Sequence, residues 1–462
     1  MRHAALACAY AAAALVLIVR ARSQRPRPPP VRSAEKDRKS TCAFADRVAQ
    51  CAIEAFDRLC AAAGVEYRQT VCAAIIAVDR RAGGATFSVV ALGVGTKFLR
   101  AAQISADGGA GRVVRDCHAE VLARRAFKRF LCAELRRCVE SGGGGLLEPP
   151  SDSGGRFGVA DGVTFHLYSS SQPCGNASVR RWAKSGAGAV HAELADTELP
   201  PTPHARLLAP AHARKQGMLA LSVKREPRDG GGSENGAEDG GGDDAVVCAS
   251  GTSALASGEG VVLSCSDKIA RWNALGAQGA LLAHFLPPLY LASVTVGRRF
   301  ARAHCERALC CRLQDFAPAT IAAMPPGYGV RHPPMLGTAL KLDRAAISTA
   351  GGAGSHADFS EARCLCWAAG DAAPEVLDGA TGEAVGGAAS RVCSARLRAD
   401  FRALCAAARA ARLAPASLPE AEEDATTKRD LEDAEYRTAR ELLHSRGCFA
   451  EWGRRTCVAV GQ

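Results

Sequence analysis

The chain has 462 residues, a formal net charge of +11 and an apolar fraction of 48%. This length makes a large core possible and excludes a small scaffold that depends on disulfides, while the positive charge suits a polyanionic partner such as a nucleic acid. Its 20 cysteines have no regular spacing. We therefore expect a reducing compartment, cytoplasmic or nuclear, in which most cysteines are small apolar core residues.

The first 40 residues are set apart from the rest by composition. Residues 4–19 are apolar throughout, and a Pro/Arg-rich linker follows at 24–40. The apolar run is short for a membrane span. A signal-peptide segment, an organelle transit segment and a wrongly assigned start site all stay open, so organelle or secretory targeting does too. A membrane is an expected partner only if this segment is retained. We expect the folded domain to cover residues 41–462.

The first half of that domain alternates helix and strand patterns. Helical periodicity covers residues 43–63 and resumes in a long helix that opens at His118, while β-rich runs at 71–78 and 86–92 are joined by a hairpin signal. A further strand at 163–168 leads toward Cys174. Residues 193–259 read as an insertion, and the stretch 226–242 is so poor in apolar residues that we expect disorder there.

The second half continues the alternation. The expected strands cover residues 261–263, 289–296 and 362–367, and the expected helices begin near residue 268 and cover 388–413 and 427–445. Strands that alternate with helices predict the α/β class, with helices packed on a sheet.

Three motifs carry the chemistry: DCHAE at 116–120, QPCG at 172–175 and SCSDK at 264–268. An imidazole from His118 and thiolates from Cys174 and Cys265 make a donor set that suits Zn²⁺, and three protein ligands leave the fourth position to water. Glu120, two residues after the histidine, is the expected proton shuttle in the deamination of a nucleobase. Taken alone, each motif is a weak signal in a chain this rich in cysteine.

The two long segments around DCHAE and SCSDK together resemble the adenosine deaminase/editase domain family. Further matches run through 93–97, 276–282, 367–382, Tyr436 and Trp452. The resemblance implies a cytidine-deaminase-like α/β/α sandwich with a mixed central sheet and inserted loops. It also implies zinc-dependent hydrolysis of adenosine to inosine in RNA, with Thr96 and Lys97 touching a flipped nucleotide.

The resemblance further implies a buried inositol hexakisphosphate. The matching positions are Arg124, Arg125, Lys268, Arg271, Trp272 and Gln278, and those that match less well are Arg440, Trp452 and Arg455. Clustered cations are costly to bury without a polyanion, although a charge run is more often a solvated helix face, as we expect for Arg136 and Arg137. A further expectation is a polar link from Asp116 to Lys268. Arg115, Asn176 and Ser394 depart from the family's usual residues, and Ser394 removes an anion ligand.

The expected substrate follows from domain content. The catalytic domain is predicted to start near residue 41, which leaves no room ahead of it for the RNA-binding domains of double-strand editors. The chain thus resembles the tRNA-specific branch, which acts on the 3′ side of the anticodon of alanine tRNA. No DNA partner is expected. The alternatives are editing of other structured RNA, an RNA-binding pseudo-deaminase without activity, and deamination of free nucleosides.

Overall fold

The computed structural model describes residues 31–67, 70–99, 104, 106–175, 177, 220–221, 262–313, 318–342, 362–419, 430–445 and 449. The chain divides into two units, residues 1–44 and 45–462. The N-terminal apolar run and the segment 226–242 lie outside the described residues, as do Asn176, Trp452 and Arg455. Within the inserted segment 193–259, the structure describes only Ala220–Leu221.

The strands are, in chain order, β1 Cys72–Asp79, β2 Thr86–Val94, β3 Thr96–Phe98, β4 Asp116–His118, β5 Leu147–Glu148, β6 Gly158–Val159, β7 Val163–Ser171, β8 Ala220–Leu221, β9 Val262–Leu263, β10 Ser293–Arg298, β11 Met335–Gly337, β12 Arg363–Ala368 and β13 Glu375–Asp378. Seven of them form one sheet in the order β11-β10-β7-β1-β2-β12-β13. The predicted hairpin is confirmed as the antiparallel pair β1–β2. Because β10 runs parallel to both β7 and β11 while the other pairs are antiparallel, the sheet is mixed, as expected.

The helices are α1 Val31–Ala63, α2 Ala119–Ser141, α3 Cys265–Leu275, α4 Gly279–Leu282, α5 Arg302–Glu306, α6 Pro318–Ala322, α7 Ser394–Ala410 and α8 Ala434–Ser445, and a π-helix covers Arg307–Cys311. Helix α1 begins inside the predicted linker because the last proline there is Pro30, after which nothing in the sequence opposes a helix. The helix expected from residue 268 begins three residues earlier, at Cys265. Patterning did not predict α5, the π-helix or β11.

Helix α2 places its apolar stripe against the sheet. Leu122, Phe127 and Leu131 are fully buried, and the Phe127 ring meets Phe165 of β7 edge-on at 5.1 Å between centroids. A Cβ on Gly93 of β2 would lie 2.4 Å from the Ala119 carbonyl oxygen. Glycine at this position therefore lets the first turn of α2 rest directly on the sheet, which fixes where that helix begins.

No helix among the described residues combines the length and hydropathy of a bilayer-spanning segment.

Candidate active site

The start of α2 brings the first two predicted residues together. His118 ends β4 and immediately precedes the helix, and Glu120 is the second helical residue and only 3% exposed. The short ladder of β3 and β4 sets Thr96 directly opposite His118, while Lys97 pairs with Cys117. Because successive side chains of a strand point to opposite faces, Thr96 shares the face of His118 and Lys97 lies on the other.

Asp116 holds the imidazole of His118. Its Oδ1 accepts from the His118 backbone N–H at 2.9 Å and lies 2.7 Å from Nδ1. This contact leaves Nε2 for a metal, since a carboxylate behind a ligating histidine fixes its tautomer and ring orientation. Burial opposes the charged imidazole, but the charge and hydrogen bond of Asp116 outweigh it and raise the pKa of His118 to about 9. Metal binding at this histidine would therefore release a proton at neutral pH.

The two predicted cysteines lie in contact although 91 positions separate them along the chain. The Cys265 backbone N–H donates to Cys174 Sγ at 3.4 Å. Ser266 strengthens the contact, because its backbone N–H and its hydroxyl both donate to the Cys174 carbonyl, at 3.1 and 2.7 Å. A hydrogen bond from Cys265 and the nearby charge of His118 lower the pKa of Cys174, and the same thiol pair together with burial raises the pKa of Cys265. The pair therefore favours one thiolate beside one thiol.

Gly175 permits the backbone after Cys174 to approach Ser264 closely. Its φ is +87°, in the left-handed region that favours glycine, and a Cβ there would lie 2.1 Å from Ser264 Oγ. Ser264 in turn caps α3: its Oγ accepts from the Asp267 backbone N–H, and the Asp267 carboxylate accepts from the Ser264 backbone N–H, which completes a capping box. Cys265 therefore sits at a well-fixed helix N-terminus, whose partial positive charge favours a thiolate.

Glu120 lies against the same group of side chains. The Ser169 hydroxyl of β7 donates to Glu120 Oε1 at 3.2 Å. The negative charge of Glu120 acts to raise the pKa of both Cys174 and Cys265, so the carboxylate is close to the two thiols. Sequence reasoning missed Ser169. Its position could have indicated a role, because Ser169 lies on the strand that leads to Cys174.

The donor types fit zinc. Two thiols, one imidazole with a carboxylate behind it and a second carboxylate nearby are the groups that Zn²⁺ prefers in proteins. The donor atoms of His118, Cys174 and Cys265 do not all lie within 4.8 Å of one another. Among the described residues, the three histidine or cysteine donor atoms that lie within 4.8 Å of one another belong to Cys310, Cys311 and His332.

A cluster of cations lies next to the predicted metal ligands. Lys268 Nζ donates to Asp116 Oδ2, which is the expected polar link. The Arg124 guanidinium carbon lies 5.0 Å from the Trp272 ring centroid, and burial, reinforced by the charges of Arg271 and Arg125, lowers the pKa of Arg124 to about 10. These positive charges therefore lie close together in a partly buried place, which a bound polyanion would stabilise.

Two other residues near this cluster have structural partners. The Ser394 hydroxyl accepts from Arg125 Nη2 at 3.2 Å, so the position that departs from the family pattern binds a neighbouring arginine. Gln278 bridges two backbone groups: its side-chain amide donates to the Leu275 carbonyl and its Oε1 accepts from the Leu289 N–H. Gln278 therefore holds the turn after α3, a role the sequence did not suggest.

The remaining predicted cations lie elsewhere on the surface or pair with acids. Arg136 and Arg137 are about half exposed and pair with Glu140 and Glu134 along α2, so they form the expected solvated face. Arg440 of α8 pairs with Glu432 at 2.9 Å. Arg115 is 37% exposed and lies 3.8 Å from an oxygen of Asp107.

Comparison with known proteins connects this geometry to a family. The model of the adenosine-deaminase (editase) domain matches residues 91–455. The mouse double-stranded RNA-specific adenosine deaminase is 29% identical over 327 residues, which are 69% of this chain and 24% of that protein. The mouse double-stranded RNA-specific editase B2 is 29% identical over 363 residues, 76% of this chain and 41% of that protein.

A tRNA enzyme is also among the relatives. The human tRNA-specific adenosine deaminase 1 is 26% identical over 322 residues, covering 54% of this chain and 61% of that protein. The chain thus spans between a quarter and two thirds of the length of these relatives. The family match covers most of the chain and includes every described site residue, and the chain belongs to the adenosine-deaminase (editase) domain family.

Proposed function

We propose that this protein is a zinc-dependent hydrolase that converts adenosine to inosine in RNA. The family acts on RNA and is generally zinc-dependent. One observation carries the proposal for this chain: Cys174 and Cys265 meet across 91 positions beside a histidine that a carboxylate holds by Nδ1. His118, Cys174 and Cys265 would hold the metal. When bound, zinc lowers the pKa of a coordinated water and so provides the nucleophile at neutral pH.

The reaction requires protons to move among the attacking water, the ring nitrogen N1 and the leaving amine. Hydrolysis forms a bond from oxygen to C6 of adenine, breaks the bond from C6 to the exocyclic nitrogen and releases ammonia. Glu120 takes one proton from the attacking water and supplies it to the ring nitrogen N1, then takes the second proton from the new hydroxyl on C6 and supplies it to the leaving amine, so that ammonia departs and a C6 carbonyl remains. Ser169 donates to Glu120 and so directs the carboxylate. Asp116 keeps His118 in position throughout.

A base must leave its stack to reach such a site. Thr96, directly opposite His118, is the residue we expect beside the flipped nucleotide. Lys97 lies on the other face of that ladder, and we expect it to contact the RNA backbone.

Double-stranded RNA is our first candidate substrate. The relatives named for double-stranded RNA align with 69% and 76% of this chain, whereas the tRNA-specific relative aligns with 54%. A tRNA, alanine tRNA in the first instance, is the second candidate, because the chain covers 61% of that relative. The described cysteines are free thiols, which suits the reducing cytoplasm or nucleus where such RNA is found.

The cation cluster is the proposed seat of inositol hexakisphosphate. Arg124, Arg125, Lys268 and Arg271 would face its phosphates, and Trp272 would keep Arg124 in place. Acid extraction of the purified protein followed by mass spectrometry should release one such molecule per chain.

The test of the catalytic assignment is Glu120→Gln. We expect a loss of inosine formation of about 100-fold or more, the range for removal of a general acid and base, with zinc content unchanged. Glu140→Gln on the same helix is the matched control, because Glu140 is 62% exposed, pairs with Arg136 and lies about 200° around the helix from Glu120, so its loss should leave the rate unchanged. A Glu120→Gln protein that deaminates at the wild-type rate would refute the role.

Substrate class needs a separate assay. The wild-type protein would be given a perfect RNA duplex, its separated strands and an alanine tRNA transcript at matched adenosine concentration. Faster inosine formation in the duplex supports the first candidate, and inosine confined to the anticodon loop supports the second.

A further inference from the structure

A second group of metal-binding side chains lies outside the proposed active site. Cys310 and Cys311 end the π-helix, and His332 precedes β11. The two Sγ atoms are 3.7 Å apart, and Cys311 Sγ is 3.8 Å from His332 Nδ1. The three donor atoms all lie within 4.8 Å of one another, with both cysteines buried and the histidine partly exposed.

These separations match those that a tetrahedral zinc ion imposes. With zinc–sulfur bonds of about 2.3 Å and zinc–nitrogen bonds of about 2.0 Å, two sulfurs on one tetrahedral ion lie about 3.8 Å apart and a sulfur and a nitrogen about 3.5 Å apart. A sulfur separation of 3.7 Å is far longer than a disulfide bond, so Cys310 and Cys311 are not joined to each other by a disulfide. The geometry therefore needs little change to admit an ion.

The backbone around Cys310 explains how neighbouring residues present both thiols to one point. Adjacent residues of an α-helix point about 100° apart, which normally separates their side chains. Here Arg307–Cys311 forms a π-helix. Such wider turns are rare and are found mostly at functional sites.

Asn273 of α3 holds the two halves of the cluster at a fixed distance. Its side-chain amide donates to the carbonyl of Leu309, the residue before Cys310, at 2.8 Å. Its backbone carbonyl accepts from the N–H of Arg331, the residue before His332, at 2.9 Å. Asn273 is 1% exposed. The thiols and the imidazole are thus positioned by the protein itself, as preorganised metal sites are.

We propose that Cys310, Cys311 and His332 bind a zinc ion with a structural role, separate from the catalytic metal. The ion would join the π-helix to the segment before β11, 21 positions further along the chain. Because both segments are bound to α3, whose first residue is Cys265, the ion would also steady that helix. Three protein donors leave one tetrahedral position for water or a further side chain.

Zinc content measured by plasma mass spectrometry tests the proposal on the full chain. Wild-type protein should carry two zinc ions, Cys311→Ser and His332→Ala one each, Cys265→Ser one, and the Cys265→Ser/Cys311→Ser double variant none. Cys305→Ser is the matched control, because Cys305 is a buried cysteine in the preceding turn outside the cluster, and it should keep two.

The outcomes separate this proposal from the proposed function. One zinc ion in wild-type protein that Cys311→Ser keeps and Cys265→Ser loses would overturn the structural site and leave the catalytic one intact. A zinc count that falls in Cys311→Ser and not in Cys265→Ser would support the structural site and overturn the catalytic one.

A spectroscopic measurement covers the case in which a cluster variant fails to fold. In a Cys174→Ser/Cys265→Ser protein, the catalytic thiols are gone and the cluster is untouched. Titration with Co²⁺ should still produce thiolate-to-cobalt absorption that saturates at one ion per chain. A folded protein of this type that shows no such band would refute the site.

Discussion

At the scale of single residues, Asp116 has the most consequential position in the site. One of its oxygens contacts His118 and the other accepts from Lys268, so a single buried carboxylate connects the proposed metal ligands to the cation cluster. Burial would raise the pKa of Asp116, but the charges of Lys268 and His118 hold it well below its usual range. The group is therefore ionised at neutral pH.

Asp116→Asn should weaken zinc binding and deamination by about 10- to 100-fold, the usual effect of removing the carboxylate behind a ligating histidine. Competition with a chelator measures the first and inosine formation the second. Asp371→Asn is the control, because Asp371 is a similarly buried carboxylate that pairs with Arg129 instead. Equal zinc affinity in Asp116→Asn and wild type would contradict the assigned role.

Gly175→Ala should destabilise the protein by about 3 kcal/mol, since it adds left-handed backbone strain to a clash with Ser264. Gly370→Ala separates the two effects: Gly370 also has a positive φ, +96°, but no atom lies within 4 Å of its would-be Cβ. Urea unfolding of both variants measures the difference, and equal losses would show that the contact with Ser264 has no cost.

At the scale of elements, α3 is anchored by a buried ion pair. Arg312 Nη2 donates to Asp267 Oδ1 at 2.7 Å, and neither side chain is exposed. Asp267 also belongs to the capping box that begins the helix at Cys265. The pair therefore connects the segment after the π-helix to the start of α3, where Cys265 lies.

Arg312→Met should cost about 3 to 5 kcal/mol in unfolding free energy, because it leaves the Asp267 carboxylate buried without its partner. Addition of Asp267→Asn should recover part of the loss. Chemical denaturation of the two single variants and the double variant gives the coupling energy, and strictly additive losses would mean that the pair contributes no interaction of its own.

Elements with strong local signals were predictable from the sequence. Periodicity predicted α2 from His118 onward, and two β-rich runs joined by a turn signal predicted the β1–β2 hairpin. The π-helix was not predictable, because Arg307–Cys311 has the apolar content of any buried helix and its wider turn depends on tertiary contacts. The start of α3 was placed too late because the capping role of Ser264 and Asp267 was not recognised.

At the scale of the whole molecule, the site is distributed over four distant segments that only the fold brings together. The motifs predicted which residues meet, and the contact of Cys174 with Cys265 agrees with that prediction. They could not predict partners without a motif, such as Ser169 at Glu120 or Asn273 beneath the second cluster. These contacts arise from the register of β7 and the packing of α3, which local patterns do not encode.

His166 in the central sheet gives the folded state a pH dependence. It is 5% exposed between hydroxyls of Thr164 and Ser293, and burial, aided by the charge of Arg80, lowers its pKa to about 4. The unfolded chain binds this proton near pH 6.5, so stability is complete above that value and falls toward pH 4. The contribution lost is about 3 kcal/mol.

His166→Gln should remove that contribution. Unfolding free energies of the variant and wild type, measured from pH 7.5 to 4.5, should converge as the pH falls, because only wild type loses the contribution of His166. Other buried histidines titrate alike in both proteins and do not affect the difference. Parallel curves would show that His166 does not titrate in this range.

The parallel pairing of β7 with β10 has a consequence for synthesis on the ribosome. When the nascent chain has emerged as far as Gly175, β1, the partner of strand β7 on one side, is present, but its other neighbour, β10, has not yet been made. A strand that is buried on both sides in the finished protein is then an open, apolar edge, prone to wrong pairing with other chains. At about 5 to 20 residues per second, translation leaves that edge uncovered for several seconds, so chaperone supply should govern the yield of correctly assembled protein.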